Sequence, residues 1–81
     1  MGSIRARKSG YLFFDFRYRG VRCREVTRLH DTKSNRRRME RVLRKIEAEI
    51  TLGTFDYAVY FPNSPLATQF RQQARENAPE N

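Results

Sequence analysis

Residues 11–27, YLFFDFRYRGVRCREVT, are the stretch that decides the fold. Aromatic residues dominate its first half, and aromatic side chains suit the pleated, half-buried surface of a β-strand. Arg19-Gly20 then places a glycine where a two-residue hairpin turn needs a positive φ. The stretch therefore predicts a β-hairpin that turns at these two residues and returns as a second strand.

Alternation along the predicted hairpin sorts its side chains onto two faces. The apolar face holds Phe14, Phe16, Tyr18, Val21 and Cys23. The basic face holds Arg17, Arg22 and Arg24 around Asp15, which is opposite Arg24 in this register and is expected to hold Arg24 or Arg17 in place. Because like charges across a sheet repel, three arginines on one face indicate that this face is presented to an anion.

The same register places Glu25 opposite Phe14 on the apolar face, where a carboxylate is not expected. Either the strand end is solvated at this point or a bulge shifts the pairing. A slip of one residue would move every side chain of one strand to the other face.

The segment before the hairpin predicts a short edge strand. Ile4 and Ala6 alternate with Arg5 and Arg7, so an added strand would extend both the apolar and the basic face. Residues 8–10, Lys-Ser-Gly, form the expected turn into the hairpin. The predicted sheet spans residues 3–28.

Length and composition limit what the chain can be. Its 81 residues carry a net charge of +8, with a sequence pI of about 10.6. One small domain and a nucleic-acid or other anionic partner are expected. A single cysteine excludes an internal disulfide and a zinc site made of cysteines. No apolar run approaches the length of a membrane span, so the expected location is the cytoplasm.

The positive charge is concentrated in the first two thirds of the chain. The net charge is +6 over residues 1–28, +3 over residues 29–53 and −1 over residues 54–81. The basic surface therefore belongs to the hairpin and to the element that follows it.

That following element is predicted to be a helix over about residues 33–52. Asp31 or Thr32 is a suitable N-cap, and Gly53 is a suitable C-terminal stop. An apolar stripe at helical spacing consists of Met39, Val42, Leu43, Ile46 and Ile50. The sheet and this stripe should bury each other, with a core of Phe14, Phe16, Met39, Leu43 and Ile46.

The first turns of this helix are basic, against the direction of the helix dipole. The residues concerned are Lys33, Arg36, Arg37 and Arg38. One interpretation is a solvated surface laced with salt bridges. The other is that phosphate groups complete the electrostatics at the helix N-terminus.

The remainder of the chain, residues 54–81, is predicted not to belong to the basic surface. Residues 54–61 are aromatic and suit a short turn of helix that folds back onto the core. Residues 66–81 are polar and are expected to be a linker or a disordered tail. The predicted domain is therefore residues 1–65.

Catalytic, metal and cofactor sites are not expected. His30 is the sole histidine and is at the predicted helix entrance, Cys23 is assigned to the core, and Asp15 has no carboxylate partner. The chain also lacks a phosphate-cradling glycine loop and metal-ligand spacing.

Three segments carry a resemblance to a known family: MGSIRxR at the start, LFFDFRYRGVRCRE in the hairpin and EAEITLGTFDYAVYFP after the helix. Over residues 1–65 the chain resembles the N-terminal arm-type DNA-binding domain of phage integrases, which are tyrosine recombinases. The resemblance implies an α+β fold, a three-stranded antiparallel sheet packed on one helix, with the open sheet face in the major groove of double-stranded DNA. The base contacts that it implies are Arg5, Arg7, Arg17, Arg22 and Arg24. The phosphate contacts expected beside them are Lys8, Arg19, Lys33, Arg36, Arg37 and Arg38.

The resemblance also implies a larger parent protein that acts in DNA integration and site-specific recombination. Its catalytic domain is absent from this chain, which should therefore bind DNA without cleaving it. Contacts with other integrase protomers would be made by the missing domains. Two alternatives stay open. YRGVRCRE after an aromatic strand is similar to the plant AP2-type domain of transcription factors, although this chain has no tryptophan. A basic RNA-binding module of ribosomal type is the alternative from a different class.

Overall fold

The computed structural model describes residues 2–76 and has an α+β fold, as predicted. Three strands form an antiparallel sheet in the order β1-β2-β3. The strands are β1 (Ser3–Ala6), β2 (Tyr11–Tyr18) and β3 (Val21–His30). The helices are α1 (Lys33–Leu52), α2 (Tyr57–Tyr60) and α3 (Pro65–Glu76). Within residues 2–76, no helix is both long and apolar enough to cross a membrane.

The hairpin turn is at the predicted residues. Arg19 has a φ of 52° and Gly20 a φ of 77°, the pair of positive values that a type I′ turn requires. The predicted register is confirmed, since Phe16 is opposite Cys23 and Asp15 is opposite Arg24. The faces assigned to the hairpin by alternation are therefore correct.

β3 extends two residues past the predicted end of the sheet, and its pairing with β2 is irregular near Leu12. Thr27 satisfies the backbone groups at the irregularity: its hydroxyl donates to the Leu12 carbonyl (2.8 Å) and accepts from the Leu29 N–H (3.1 Å). Outward and inward side chains still alternate through this region.

α1 has the predicted bounds and caps. The Thr32 hydroxyl accepts from the Asn35 N–H (3.1 Å), and Gly53 ends the helix in the left-handed conformation. All five predicted core residues are buried. Val42, at the edge of the predicted stripe, is instead 38% exposed. The completed core also contains Leu12, Cys23, Phe55, Tyr57, Ala67 and Phe70.

The expectation of a linker or disordered tail is wrong for residues 66–76, which form most of α3. Ala67 and Phe70 are buried in the core, and the Phe70 ring packs edge-on against Tyr18 with centroids 4.8 Å apart. The Ser64 hydroxyl accepts from the Leu66 N–H (3.2 Å) at the helix start. Residues 77–81, the rest of the predicted tail, lie outside the described residues.

Glu25 is opposite Phe14, where the predicted register placed it, and the structure explains why it is tolerated there. Its carboxylate accepts hydrogen bonds from the Tyr57 hydroxyl and from the Ser64 hydroxyl (2.8 Å). Burial and the Glu25 carboxylate both raise the pKa of Tyr57, so the phenol remains a donor. Glu25 thus ties β3 to α2 and to the start of α3.

Candidate nucleic-acid interface

All three helices pack on one side of the sheet, which leaves the other side uncovered by them. We call this uncovered side the open face. Its outward side chains alternate with core residues along each strand. The open face consists of Ser3, Arg5, Tyr11, Phe13, Asp15, Arg17, Arg22, Arg24, Val26, Arg28 and His30.

Asp15 holds two arginines of the open face. Arg22 donates to it side-on, through Nε to Oδ1 (3.1 Å) and Nη2 to Oδ2 (2.9 Å), and Arg5 donates through Nη1 at 3.4 Å. The expectation that Asp15 holds Arg24 or Arg17 is wrong. Diagonal neighbours in a sheet are within reach of long side chains, and the diagonal Arg22 takes the carboxylate that is directly opposite Arg24.

This contact fixes the charge and the orientation of both partners. The hydrogen bonds from Arg22 are the main cause that keeps the pKa of Asp15 below its ordinary value. The Arg22 side chain is half exposed, whereas the Asp15 side chain is only 11% exposed. A guanidinium has five N–H donors. With Nε and one Nη2 hydrogen engaged, the outer edge formed by Nη1 and Nη2 remains directed away from Asp15.

Arg17 and Arg24 are exposed. Among the side chains of residues 2–72, neither forms an ion pair with an acidic group. Arg17 is directly opposite Arg22 on the neighbouring strand, so two cations are adjacent. An anionic partner would relieve this repulsion.

Arg28 belongs to the open face, and the sequence prediction gave it no role. Alternation could have placed it there, because the outward residues of this segment follow a period of two: Arg22, Arg24, Val26, Arg28 and His30. His30 ends the row and stacks on Tyr11, with ring centroids 4.8 Å apart. The irregular pairing around Thr27 leaves this alternation intact.

Further basic residues are located at the two ends of the sheet. At one end, the Asp31 N–H donates to the Gly10 carbonyl (3.1 Å), which brings the β1–β2 turn with Arg7 and Lys8 next to the start of α1. At the other end, the Arg19 guanidinium lies 5.1 Å from the centre of the Tyr18 ring, a cation–π distance.

The basic residues in the first turns of α1 differ in their surroundings. Arg36 binds Asp31 (Nε to Oδ1 2.5 Å) and donates to the Ile4 carbonyl at 3.4 Å, and this partner lowers the pKa of Asp31. Lys33, Arg37 and Arg38 are exposed. Arg36 therefore already has partners within the protein.

Groups that suit catalysis or metal binding are not assembled in the part of the chain that the structure describes. No cluster of three His, Cys, Asp or Glu side chains is found there. Cys23 is fully buried, and burial raises the pKa of its thiol, which disfavours the reactive thiolate.

Comparison with known proteins adds one finding. A protein-family model described as an arm DNA-binding domain matches residues 1–65. The matched region holds the three strands, α1 and α2, and it ends at the first residue of α3. Searches of curated proteins and of solved structures gave no match.

Proposed function

Since the chain belongs to the family of arm DNA-binding domains, we propose that it reads a specific sequence of double-stranded DNA with the open face of its sheet. Membership of the family makes the chain a DNA-binding domain. We add which surface of the protein binds, which groove of the DNA it enters and which residues make the contacts. In it, β2 and β3 enter the major groove, and α1–α3 remain outside on the far side of the sheet.

One observation carries this proposal: the open face gathers five arginines and a single acidic residue, Asp15. The major groove is about 12 Å wide and admits a two-stranded ribbon. Arginine is the side chain that most often reads guanine there, by donating to O6 and N7. The arginines assigned to bases are Arg5, Arg17, Arg22, Arg24 and Arg28, with Arg7 at the edge of the sheet.

Asp15 orients the Arg22 guanidinium for contact with a base. Its side-on contact engages Nε and Nη2 and leaves the outer edge of the guanidinium for a base. A side chain already held in one orientation loses less conformational freedom on binding. Asp15 thus acts as a positioning residue, and Arg22 as the reader.

The remaining basic residues are assigned to the DNA backbone. Lys8 and Arg19 flank the sheet at opposite ends, and Lys33, Arg37 and Arg38 extend from the start of α1. Contacts of this kind orient a protein on the duplex without reading sequence. Arg36 is assigned a weaker role, because Asp31 and the Ile4 carbonyl already bind it.

We further propose that the parent protein is an integrase of the tyrosine recombinase type. The family description and the resemblance over residues 1–65 support this. In that setting the chain binds arm-type sites during DNA integration and recombination in the cytoplasm of a bacterial or phage-infected cell. Cleavage, and contacts with other protomers, would be functions of further domains.

A selection from random duplexes tests the proposed function. The full chain is used to enrich bound DNA, and its affinities for the enriched duplex, a random duplex and a structured RNA are then measured at one salt concentration. We expect a shared motif containing guanine and a clear preference for the enriched duplex. No enrichment, or tighter binding to the RNA, would contradict the proposal.

A further inference from the structure

An apolar pair interrupts the charged open face. Phe13 on β2 is directly opposite Val26 on β3, and Val26 is 49% exposed. Arg5 pairs with Phe13 from the other side, and Arg24 and Arg28 precede and follow Val26 among the outward residues of β3. The pair is thus an apolar step with arginines on three sides.

A single exposed valine needs no special explanation. This one, however, lies beside the half-buried ring of Phe13, and the outward residues before and after it on β3 are both arginines. Isolated from the core by the sheet itself, the two side chains gain nothing from the packing that buries Phe14 and Phe16. An apolar group on the DNA would cover them.

The major groove offers one such group, the 5-methyl group of thymine. We propose that the Phe13–Val26 step contacts a thymine methyl group and makes Val26 a specificity-determining residue. This inference rests on the proposed insertion of the open face into the major groove. It adds a base identity that the arginines do not read.

With β3 running along the major groove, its residue spacing sets the distance between this thymine and the base that Arg24 contacts. Consecutive outward residues on a strand are about 6.8 Å apart, and consecutive base pairs are about 3.4 Å apart. A step of two residues along β3 therefore corresponds to about two base pairs. The thymine is expected about two base pairs from the guanine that Arg24 reads.

The test replaces each thymine of the enriched duplex, one at a time, by uracil, which lacks only the methyl group. The native chain should lose about fourfold in affinity at one position, the equivalent of one buried methyl group. Val26→Ala should bind the thymine and uracil duplexes equally. Val26→Thr, which retains one methyl group and the branched shape, should keep part of the discrimination.

Val42→Ala is the matched control, because Val42 is similarly exposed but lies on α1. It should discriminate between the two duplexes as the native chain does. If no thymine-to-uracil change weakens binding while the enriched duplex is still preferred, the inference is wrong and the proposed function stands. Discrimination that survives in Val26→Ala would equally overturn it. If the native chain shows no sequence preference at all, both the thymine contact and the proposed function are wrong.

Discussion

Asp15 is a carboxylate in the middle of a surface proposed to bind DNA, and its contacts account for its presence. It holds Arg22 with two hydrogen bonds and Arg5 with a third. A negative charge at this place repels phosphate, so it is useful only if the orientation it gives to the arginines outweighs that repulsion. The two effects have opposite signs and can be separated by mutation.

Asp15→Asn removes the charge and preserves the shape of the side chain. If Asp15 orients Arg22, the affinity for the enriched duplex should fall by roughly fivefold, although a negative charge has been removed. The affinity for random duplex should stay constant or rise. Titrations with both duplexes at one salt concentration measure this.

The matched control for that variant is Asp31→Asn, which breaks an Asp–Arg pair away from the open face. It should shift the affinities for both duplexes by the same factor. If Asp15→Asn raises both affinities equally, Asp15 has no positioning role.

Asp15 also predicts a pH dependence of stability. Its folded-state pKa lies below the unfolded value of about 3.9. The pair with Arg22 therefore stabilises the fold above about pH 4, and this contribution is lost as the pH falls through the folded-state pKa. The melting temperature of the native chain should fall more than that of Asp15→Asn between about pH 6 and pH 2. Parallel melting curves for the two proteins would contradict this.

At the scale of elements, the parts that sequence reasoning predicts well are those with local signals. The hairpin follows from alternation and from Arg19-Gly20, and α1 follows from Thr32, Gly53 and a stripe at helical spacing. These determinants are within one element or at its ends, so no tertiary information is needed.

The features that sequence reasoning missed depend on contacts between distant parts of the chain. α3 is mostly polar and docks through few apolar side chains, chiefly Ala67 and Phe70. Ser64-Pro65 was a usable start signal, since serine suits the N-cap and proline the first helical position. Asp15 binds Arg22 rather than Arg24 because the long side chain of Arg22 reaches diagonally across the sheet. Alternation predicts which face a residue is on, but not which neighbour its side chain reaches.

The docking of α3 predicts a large effect of Phe70→Ala. The Phe70 ring is 4% exposed and contacts Tyr57 at a centroid distance of 5.0 Å. Its removal should lower the free energy of unfolding by about 3–5 kcal/mol, a large part of the stability of a small domain. Urea unfolding measures this, with the exposed neighbour in Gln69→Ala as control. Equal midpoints for Phe70→Ala and the native chain would show that α3 does not stabilise the fold.

At the scale of the whole molecule, the positive charge is concentrated in the first two thirds of the chain. Residues 1–53 hold fifteen of the seventeen basic residues. They form the open face, the ends of the sheet and α1, whereas α3 carries a net charge of only +1, from Arg71, Arg75 and Glu76. This arrangement suits a duplex that contacts the open face and the start of α1 together.

Neutral replacements in α1 should therefore weaken binding without changing specificity. Arg37→Gln or Arg38→Gln should reduce affinity for enriched and random duplex by the same factor. Each should also make the dependence of log affinity on log salt shallower by about 0.9. Arg36→Gln should change this slope less and should lower the melting temperature, because Arg36 is bound to Asp31. A loss confined to the enriched duplex would mean that α1 reads bases.

The central claim, that the open face reads sequence, is tested most directly at Arg24. Arg24→Lys retains the charge, but an ammonium cannot reproduce the planar fork that contacts O6 and N7 of guanine. Arg44→Lys, at an exposed position on α1, is the control. The measurement is a pair of titrations, with enriched and with random duplex, at one salt concentration. The account predicts that Arg24→Lys loses roughly 1–3 kcal/mol on the enriched duplex and almost nothing on the random one, while Arg44→Lys matches the native chain on both. If Arg24→Lys binds both duplexes as the native chain does, Arg24 does not read sequence and the proposed reading surface is contradicted at its centre.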